Sequence, residues 1–337
     1  MRLGLMLGYW TGGAPPPDPI DLVREVEELG YDSVWTAEAY GSDVFSPLCW
    51  IGARTTRIKL GTGILQLSAR TPASVAMTAA TIDHLSNGRL ILGVGVSGPQ
   101  VVEGWYGQPF PKPLARTREF VEIVRAILRR EGPVTYEGDQ YQLPLPESRG
   151  SSGLGKPLKL IIHPLRSHIP IYLGAEGPKN VALAAEIADG WLPIFYSPYR
   201  TGLYDESLRN AKPDFEIACP VTAMLCDDVK QGLAAVKMAL GFYIGGMGAR
   251  SQNFHLNLIT RLGFGDEARR VQELFLDGKR PEAFAAVPDE LADEISLVGP
   301  AERIRDRLAA WRESPVTTLL IGSQDRALHH LLAEALL

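Results

Sequence analysis

Leu90-Ile91-Leu92-Gly93-Val94-Gly95-Val96-Ser97-Gly98-Pro99 is the stretch from which the chain is best read. Residues 90–94 are apolar or glycine without the alternation of a half-wet strand, which predicts a strand buried on both faces of a parallel sheet. Glycines and a proline then break the run, as in a turn that opens a helix. Runs of the same character lie at 3–7, 33–35, 58–60, 171–173, 190–194, 217–225 and 316–321, which makes eight predicted strands in all.

Helical patterns follow most of them. Asp18-Pro19 reads as an N-cap and first helical residue, Asp21 suits the helix dipole, and Leu22, Val23, Val26 and Leu29 recur at helical spacing before Gly30 closes the helix. Thr71-Pro72, Gly177-Pro178 and Gly299-Pro300 open further helices to about Leu85, Ala188 and Trp311. Another begins near Pro113, with Phe120, Ile123, Val124, Ile127 and Leu128 on one face. Repeated strand–helix alternation implies a parallel sheet with right-handed crossovers. Eight units predict an α/β fold, a TIM (β/α)8 barrel with insertions forming one domain over 1–337. A doubly wound open sheet is the alternative. The insertions are expected at about 134–168, a hairpin and a mobile loop, and at about 230–296, a helical lid that includes the glycine-rich Gly241-Phe242-Tyr243-Ile244-Gly245-Gly246-Met247-Gly248.

Composition narrows the function. The 34 glycines and 25 prolines are roughly 17% of the chain, above the usual ~12% but short of low complexity. A net charge of −5 with no basic segment argues against nucleic acid as a partner. No apolar run reaches the ~18–20 residues that span a bilayer, and the apolar start reads as a first strand rather than a leader. Cys49, Cys219 and Cys226 make no CxxC pair and the six histidines no HExxH, so a reducing cytoplasm and no protein-held metal are expected.

The glycines fall where a barrel keeps its site. Gly95, Val96, Ser97 and Gly98 follow the fourth strand, and Gly174, Ala175, Glu176 and Gly177 follow the fifth and lead onto a helix. Bare N–H groups at such turns suit a phosphate, although glycines there also let a helix pack on its strand. Neither turn is the G-x-G-x-x-G fingerprint, and the early position such a fingerprint would use holds Gly12-Gly13-Ala14-Pro15-Pro16, so a Rossmann domain is not expected. Gly61 and Gly63 mark a bulge, a close approach to a ligand, or merely a weak strand end. Glu38, after the second strand, suits a ligand contact or an acid/base group, with an exposed loop glutamate as the plainer reading. His255 is a lid histidine of either catalytic or solvated character. His84 has a structural place at a helix C-terminus. Tyr9 and Trp10 line a planar cofactor or roof the barrel.

Taken together and in order, these residues resemble the luciferase-like monooxygenase superfamily, within it the actinobacterial oxidoreductases that depend on coenzyme F420, a deazaflavin. The resemblance covers essentially the whole chain. It is carried by Ser33-Val34-Trp35-Thr36-Ala37-Glu38, Leu60-Gly61-Thr62-Gly63-Ile64, Ala80-Thr81-Ile82-Asp83-His84-Leu85-Ser86-Asn87-Gly88-Arg89, Gly93-Val94-Gly95, Gly177-Pro178-Lys179-Asn180, Ala188-Asp189-Gly190-Trp191 and Leu297-Val298-Gly299-Pro300. It implies a TIM barrel, usually a homodimer, with the deazaflavin ring in the barrel mouth. It further implies a cis Gly63-Ile64 bond behind the ring, and the cofactor's phosphate and ribityl chain on the two glycine turns. A related sugar-phosphate dehydrogenase has Asp-His where this chain has Glu38-Ala39, so that reaction is not expected. The expected function is hydride transfer between the deazaflavin C5 and a small organic substrate. Glu38 and His255 are the candidate catalytic residues. Glu38, Gly63, Ile64 and the two turns are the candidate cofactor-binding residues, and the segment from Tyr243 to His255 selects the substrate. An FMN-dependent monooxygenase and a non-catalytic F420 carrier are the alternatives.

Overall fold

A computed structural model of the protein describes residues 1–8, 10 and 17–337. Tyr9 and the segment 12–16 lie outside the described residues. The strands are β1 (Arg2–Gly8), β2 (Ser33–Thr36), β3 (Lys59–Thr62), β4 (Leu65–Gln66), β5 (Leu90–Gly95), β6 (Tyr136–Glu137), β7 (Gln142–Leu143), β8 (Ile171–Gly174), β9 (Gly190–Leu192), β10 (Glu216–Leu225), β11 (Ser296–Gly299) and β12 (Thr318–Ile321). The order β10-β12-β1-β2-β3-β5-β8-β9 closes when β9 pairs back onto β10, and every pair in the ring is parallel. The ring is the predicted barrel and not the open sheet. Its staves match the eight predicted runs, with ends shifted by a few residues. The sixth ends at Leu192 rather than 194, and Phe195 just beyond it takes a left-handed backbone (φ 52°).

Large rings fill the barrel, and glycines make room for them. Trp35, Ile91, Tyr172, Leu192, Ala218 and Leu320 form the interior cluster, with Met6 and Ile64 packed against it. A Cβ on Gly61 would lie 2.3 Å from the Trp35 indole, and one on Gly190 2.8 Å from the Tyr172 ring. The close approach read at Gly61 is therefore to Trp35, a neighbouring side chain on β2, rather than to a ligand. Outside the ring a second apolar layer joins strands to helices, and Arg89 is buried within it. Its guanidinium donates to the carbonyls of Gly52, Thr55, Ile58 and Ser86 and to the Thr55 hydroxyl, which uses all five of its donors.

Two stretches depart from the strand–helix repeat. In 134–168, the β6–β7 hairpin leads into a long irregular stretch. That stretch is tied down where Arg130 Nε donates to the Leu160 carbonyl (2.7 Å), where the His84 ring meets the His163 carbonyl (2.7 Å), and by the Arg166–Asp83 ion pair. In the second, the helices Val229–Gly246, Phe254–Arg261, Gly265–Leu276, Arg280–Ala285 and Asp289–Glu294 enclose their own apolar cluster. The glycine-rich stretch read as part of a lid lies mostly inside the first of these helices. A Cβ on Gly241 would meet Phe284 at 2.6 Å, and one on Gly245 would meet Phe275 at 2.4 Å, so both glycines admit a facing ring. Residues 296–299, read only as the lead into a helix, form β11, which pairs with the upper half of β10 from Thr222↔Ser296 to Leu225↔Gly299. Among the described residues, no helix is long and apolar enough to cross a membrane, and no cluster of His, Cys, Asp and Glu could hold a metal.

His329 is fully buried between the Tyr31 hydroxyl (2.8 Å from Nδ1) and the Ser323 carbonyl (3.1 Å from Nε2). A carbonyl only accepts, so Nε2 carries the proton and Nδ1 accepts from Tyr31. Burial pushes this imidazole below its usual 6.5. The folded protein thus holds it neutral, while the unfolded chain takes up a proton as pH falls through about 6.5. Its contribution is present above that pH and lost below it. Urea unfolding between pH 7 and 5 is expected to show this decline, and His329→Gln to flatten it. Gly61→Ala is expected to lower stability by about 1–3 kcal/mol through the Trp35 clash. Gly177→Ala, where a Cβ meets nothing within 4 Å, is expected to leave stability unchanged in the same assay.

Candidate active site at the barrel mouth

The mouth is built around the break in the third stave. After Thr62 the Gly63-Ile64 peptide is cis, and the chain re-enters the sheet as β4, pairing Leu65 with Val94 and Gln66 with Gly95. The Ile64 side chain lies across two neighbouring strand ends. Its Cδ1 is 2.1 Å from where a Cβ on Gly95 would stand, and its Cγ2 2.9 Å from one on Gly174. The bulge and both predicted turns are therefore in contact. Gly63, Ile64, Gly95 and Gly174 meet as a floor of the mouth.

Glu38 lies beside this break, with a side chain only 3% exposed. Its Oε1 accepts from the Gln66 N–H (2.9 Å) and its Oε2 from the Val44 N–H (3.2 Å), while Arg70 Nη1 donates to both (2.7 and 2.8 Å). The Glu38 carbonyl accepts from Gln66 Nε2 at 2.9 Å. A carboxylate has about four lone-pair sites, and all are engaged. In this arrangement Glu38 ties the loop after β2 to the bulge. Next to it, the Ala39 carbonyl accepts from the Tyr106 hydroxyl (3.3 Å), and burial, then the Glu38 charge, raise that phenol above its usual value. Trp10 is half exposed, and its backbone N–H donates to the Ser42 hydroxyl (3.1 Å).

In the turn after β5, Ser97 takes a left-handed conformation (φ 60°), and Gly98 is extended before the helix Pro99–Gly104. In the turn after β8, the Ala175 carbonyl accepts from the Trp191 indole (2.8 Å) and the Glu176 carbonyl from Arg261 Nη2 (2.7 Å). Held in this way, the N–H groups of Ser97, Gly98, Glu176 and Gly177 find no acceptor among the described residues. They fit an anion such as a phosphate.

His255 sits in the first turn of the helix Phe254–Arg261, where the Asn253 side chain accepts from the Leu256 N–H (2.9 Å) as a cap. Its Nδ1 lies 3.0 Å from Glu176 Oε2, and its ring is edge-on to Tyr243 (4.9 Å between centroids) and Phe195 (6.1 Å). The approach is close, but its alignment is poor for a hydrogen bond, and both atoms are buried without a well-formed one. Two predicted site residues from distant segments are thus brought together, with the helical insertion leaning on the turn after β8. Arg70, Phe195 and Arg261 were not singled out from the sequence.

Residues 3–318 match the luciferase-like monooxygenase family. The chain belongs to that family. Among luciferase-like relatives, it is 52% identical over 95% of its length to a Mycobacterium tuberculosis protein provisionally named a coenzyme F420-dependent oxidoreductase, covering 94% of that protein. It is 32% identical to the 5,10-methylenetetrahydromethanopterin reductase of Methanolobus tindarius, over 91% of this chain and 92% of the other. The coenzyme F420-dependent tetrahydromethanopterin reductase of Methanopyrus kandleri superposes with a TM-score of 0.75 at 22% identity, over 99% and 97% of the two chains, and shares the luciferase-like barrel.

Glu38→Gln is expected to place an amide donor against Arg70 or a backbone N–H and to lower stability by about 3 kcal/mol in urea unfolding. Arg70→Leu is expected to cost about as much. The double variant should lose less than the sum of the two, because both remove one shared interaction.

Proposed function

We propose that the protein is a coenzyme F420-dependent oxidoreductase that moves a hydride between the deazaflavin C5 and a carbon of a small organic substrate. The observation that carries this reading is the 52% identity, across 95% of the chain, with the M. tuberculosis relative bearing that name. The barrel mouth supports it. Two glycine turns present free N–H groups to an anionic tail, and the Gly63-Ile64 break between them offers an apolar surface to a flat ring. When bound, the deazaflavin would supply the hydride chemistry itself.

The chain's own part is to orient and to exclude water. Glu38 and Arg70 hold the break rigid, Ile64 presents an apolar face, and the amides of Ser97, Gly98, Glu176 and Gly177 neutralise phosphate charge without a mobile side chain. Phe195, Tyr243 and His255 wall the side nearest the helical insertion and would meet the substrate there, with His255 the group able to hand over a proton. Ala39 leaves no imidazole after the second strand, which argues against a sugar-phosphate substrate. A single working unit over 1–337, a homodimer and a cytoplasmic site of action belong to the same reading.

Fluorescence titration of the purified protein with F420 and with FMN tests it. Binding of F420 in clear preference to FMN is expected, followed by oxidation of bound reduced F420 by at least one member of a panel of electron-poor organic substrates. Preferential FMN binding would overturn the reading in favour of a flavin monooxygenase. Tight F420 binding without turnover across the panel would favour a carrier.

A further inference from the structure

His255 and Glu176 come from different elements and meet below the surface. The helix Phe254–Arg261 touches residue 176 twice. Arg261 Nη2 donates to the Glu176 carbonyl (2.7 Å), and His255 Nδ1 stands 3.0 Å from Glu176 Oε2. The two side chains are 13% and 19% exposed, and the facing atoms are closed off from solvent without another partner. An imidazole nitrogen and a carboxylate oxygen buried face to face are stable only when a proton lies between them. Here the oxygen stands off the line of the ring N–H, an offset of the kind that the soft Cβ–Cγ torsion of histidine can take up. Such bonds are often loose in an empty site and tighten once it is filled.

The other ring nitrogen is placed differently. Nε2 has no partner among the described residues, yet solvent reaches it. Phe195 and Tyr243 stand edge-on beside the same ring. One nitrogen against a buried carboxylate and the other free is the arrangement in which a histidine exchanges one proton and keeps the second.

We propose that Glu176 is the positioning residue of His255: its carboxylate keeps a proton on Nδ1, so that Nε2 is the nitrogen that exchanges a proton with the substrate. This assignment rests on the F420 reading above and gives the Glu176 side chain a task separate from that of its backbone. In reduction, a hydride passes from the reduced deazaflavin to a carbon of a C=O or C=C bond. The electron pair of that π bond moves to the neighbouring atom, which takes the Nε2 proton of the imidazolium. The ring is left neutral with its remaining proton on Nδ1, and solvent returns the lost one. In oxidation the same bonds form and break in reverse, with Nε2 as the base. Glu176 gains no proton at any step.

Nitrogen-15 NMR of protein labelled at its six histidines shows which ring nitrogen carries hydrogen, without cofactor or turnover. The His255 signals are those missing from His255→Gln. The wild type is expected to carry a proton on Nδ1, and Glu176→Leu to carry it on Nε2 instead. Glu176→Gln, which keeps the shape but not the charge, guards against a leucine variant that folds poorly. In the oxidation of reduced F420 it is expected to lower kcat about tenfold or more, with the substrate KM and the F420 affinity within about twofold. His255→Gln should lose at least as much, and the double variant no more than His255→Gln, because Glu176 acts through the imidazole. A bare Nδ1 in the wild type with turnover intact would overturn this assignment alone. Weaker F420 binding or a raised KM at unchanged kcat would make the pair a brace between insertion and turn, and would also overturn it. If the wild type carries the Nδ1 proton but turns over no member of the substrate panel, the functional reading falls, and this assignment with it.

Discussion

Ile64 and two glycines set the shape of this barrel's mouth. The isoleucine lies over the ends of β5 and β8 in space that a Cβ on Gly95 or Gly174 would need. Three staves are thereby brought to one surface at the C-terminal ends of the strands, where barrels of this kind place their chemistry. The contact depends on backbone rather than on side-chain choice, because glycine alone leaves the gap. It also explains why the turns stand close enough to act on one ligand.

A second tier of interactions keeps that surface in place. Glu38 and Arg70 sit behind the break, the Trp191 indole holds the Ala175 carbonyl, and Arg261 holds the next one. The Glu38 carboxylate is hydrogen-bonded at every site, which favours one arrangement of these loops over near neighbours. Among the described residues here, the turn amides, Gln66 Oε1, Glu176 Oε2 and His255 Nδ1 have no hydrogen-bond partner.

Much of this could be read from the sequence, for physical reasons. Continuous apolar runs and proline at helix starts are local signals, and they located the eight staves. The glycines at 95–98, at 174–177 and at Gly61 and Gly63 stood out because glycine at a strand end demands an explanation, while the cis Gly63-Ile64 bond was expected only from the family resemblance. The meaning of other residues depended on distant partners. Glu38 was found, but its engagement by Arg70 was not, because that arginine lies 32 residues further on. Arg261 gave no signal, since its acceptor is a carbonyl 85 residues earlier. Gly61, Gly241 and Gly245 were visible as glycines, yet the rings they accommodate belong to other elements. Strand β11 escaped notice because four apolar residues before a proline look the same whether or not a neighbouring strand receives them.

The pairing of β11 with β10 has an evolutionary consequence. The segment between them leaves the sheet after Leu225 and returns beside it, with Thr222 opposite Ser296. Entry and exit are adjacent, and the helices between them have an apolar cluster of their own. Such a segment can be exchanged for another of different length without changing the register of the ring, because the ends it must bridge are already side by side. The ring and the segment can therefore vary independently of one another.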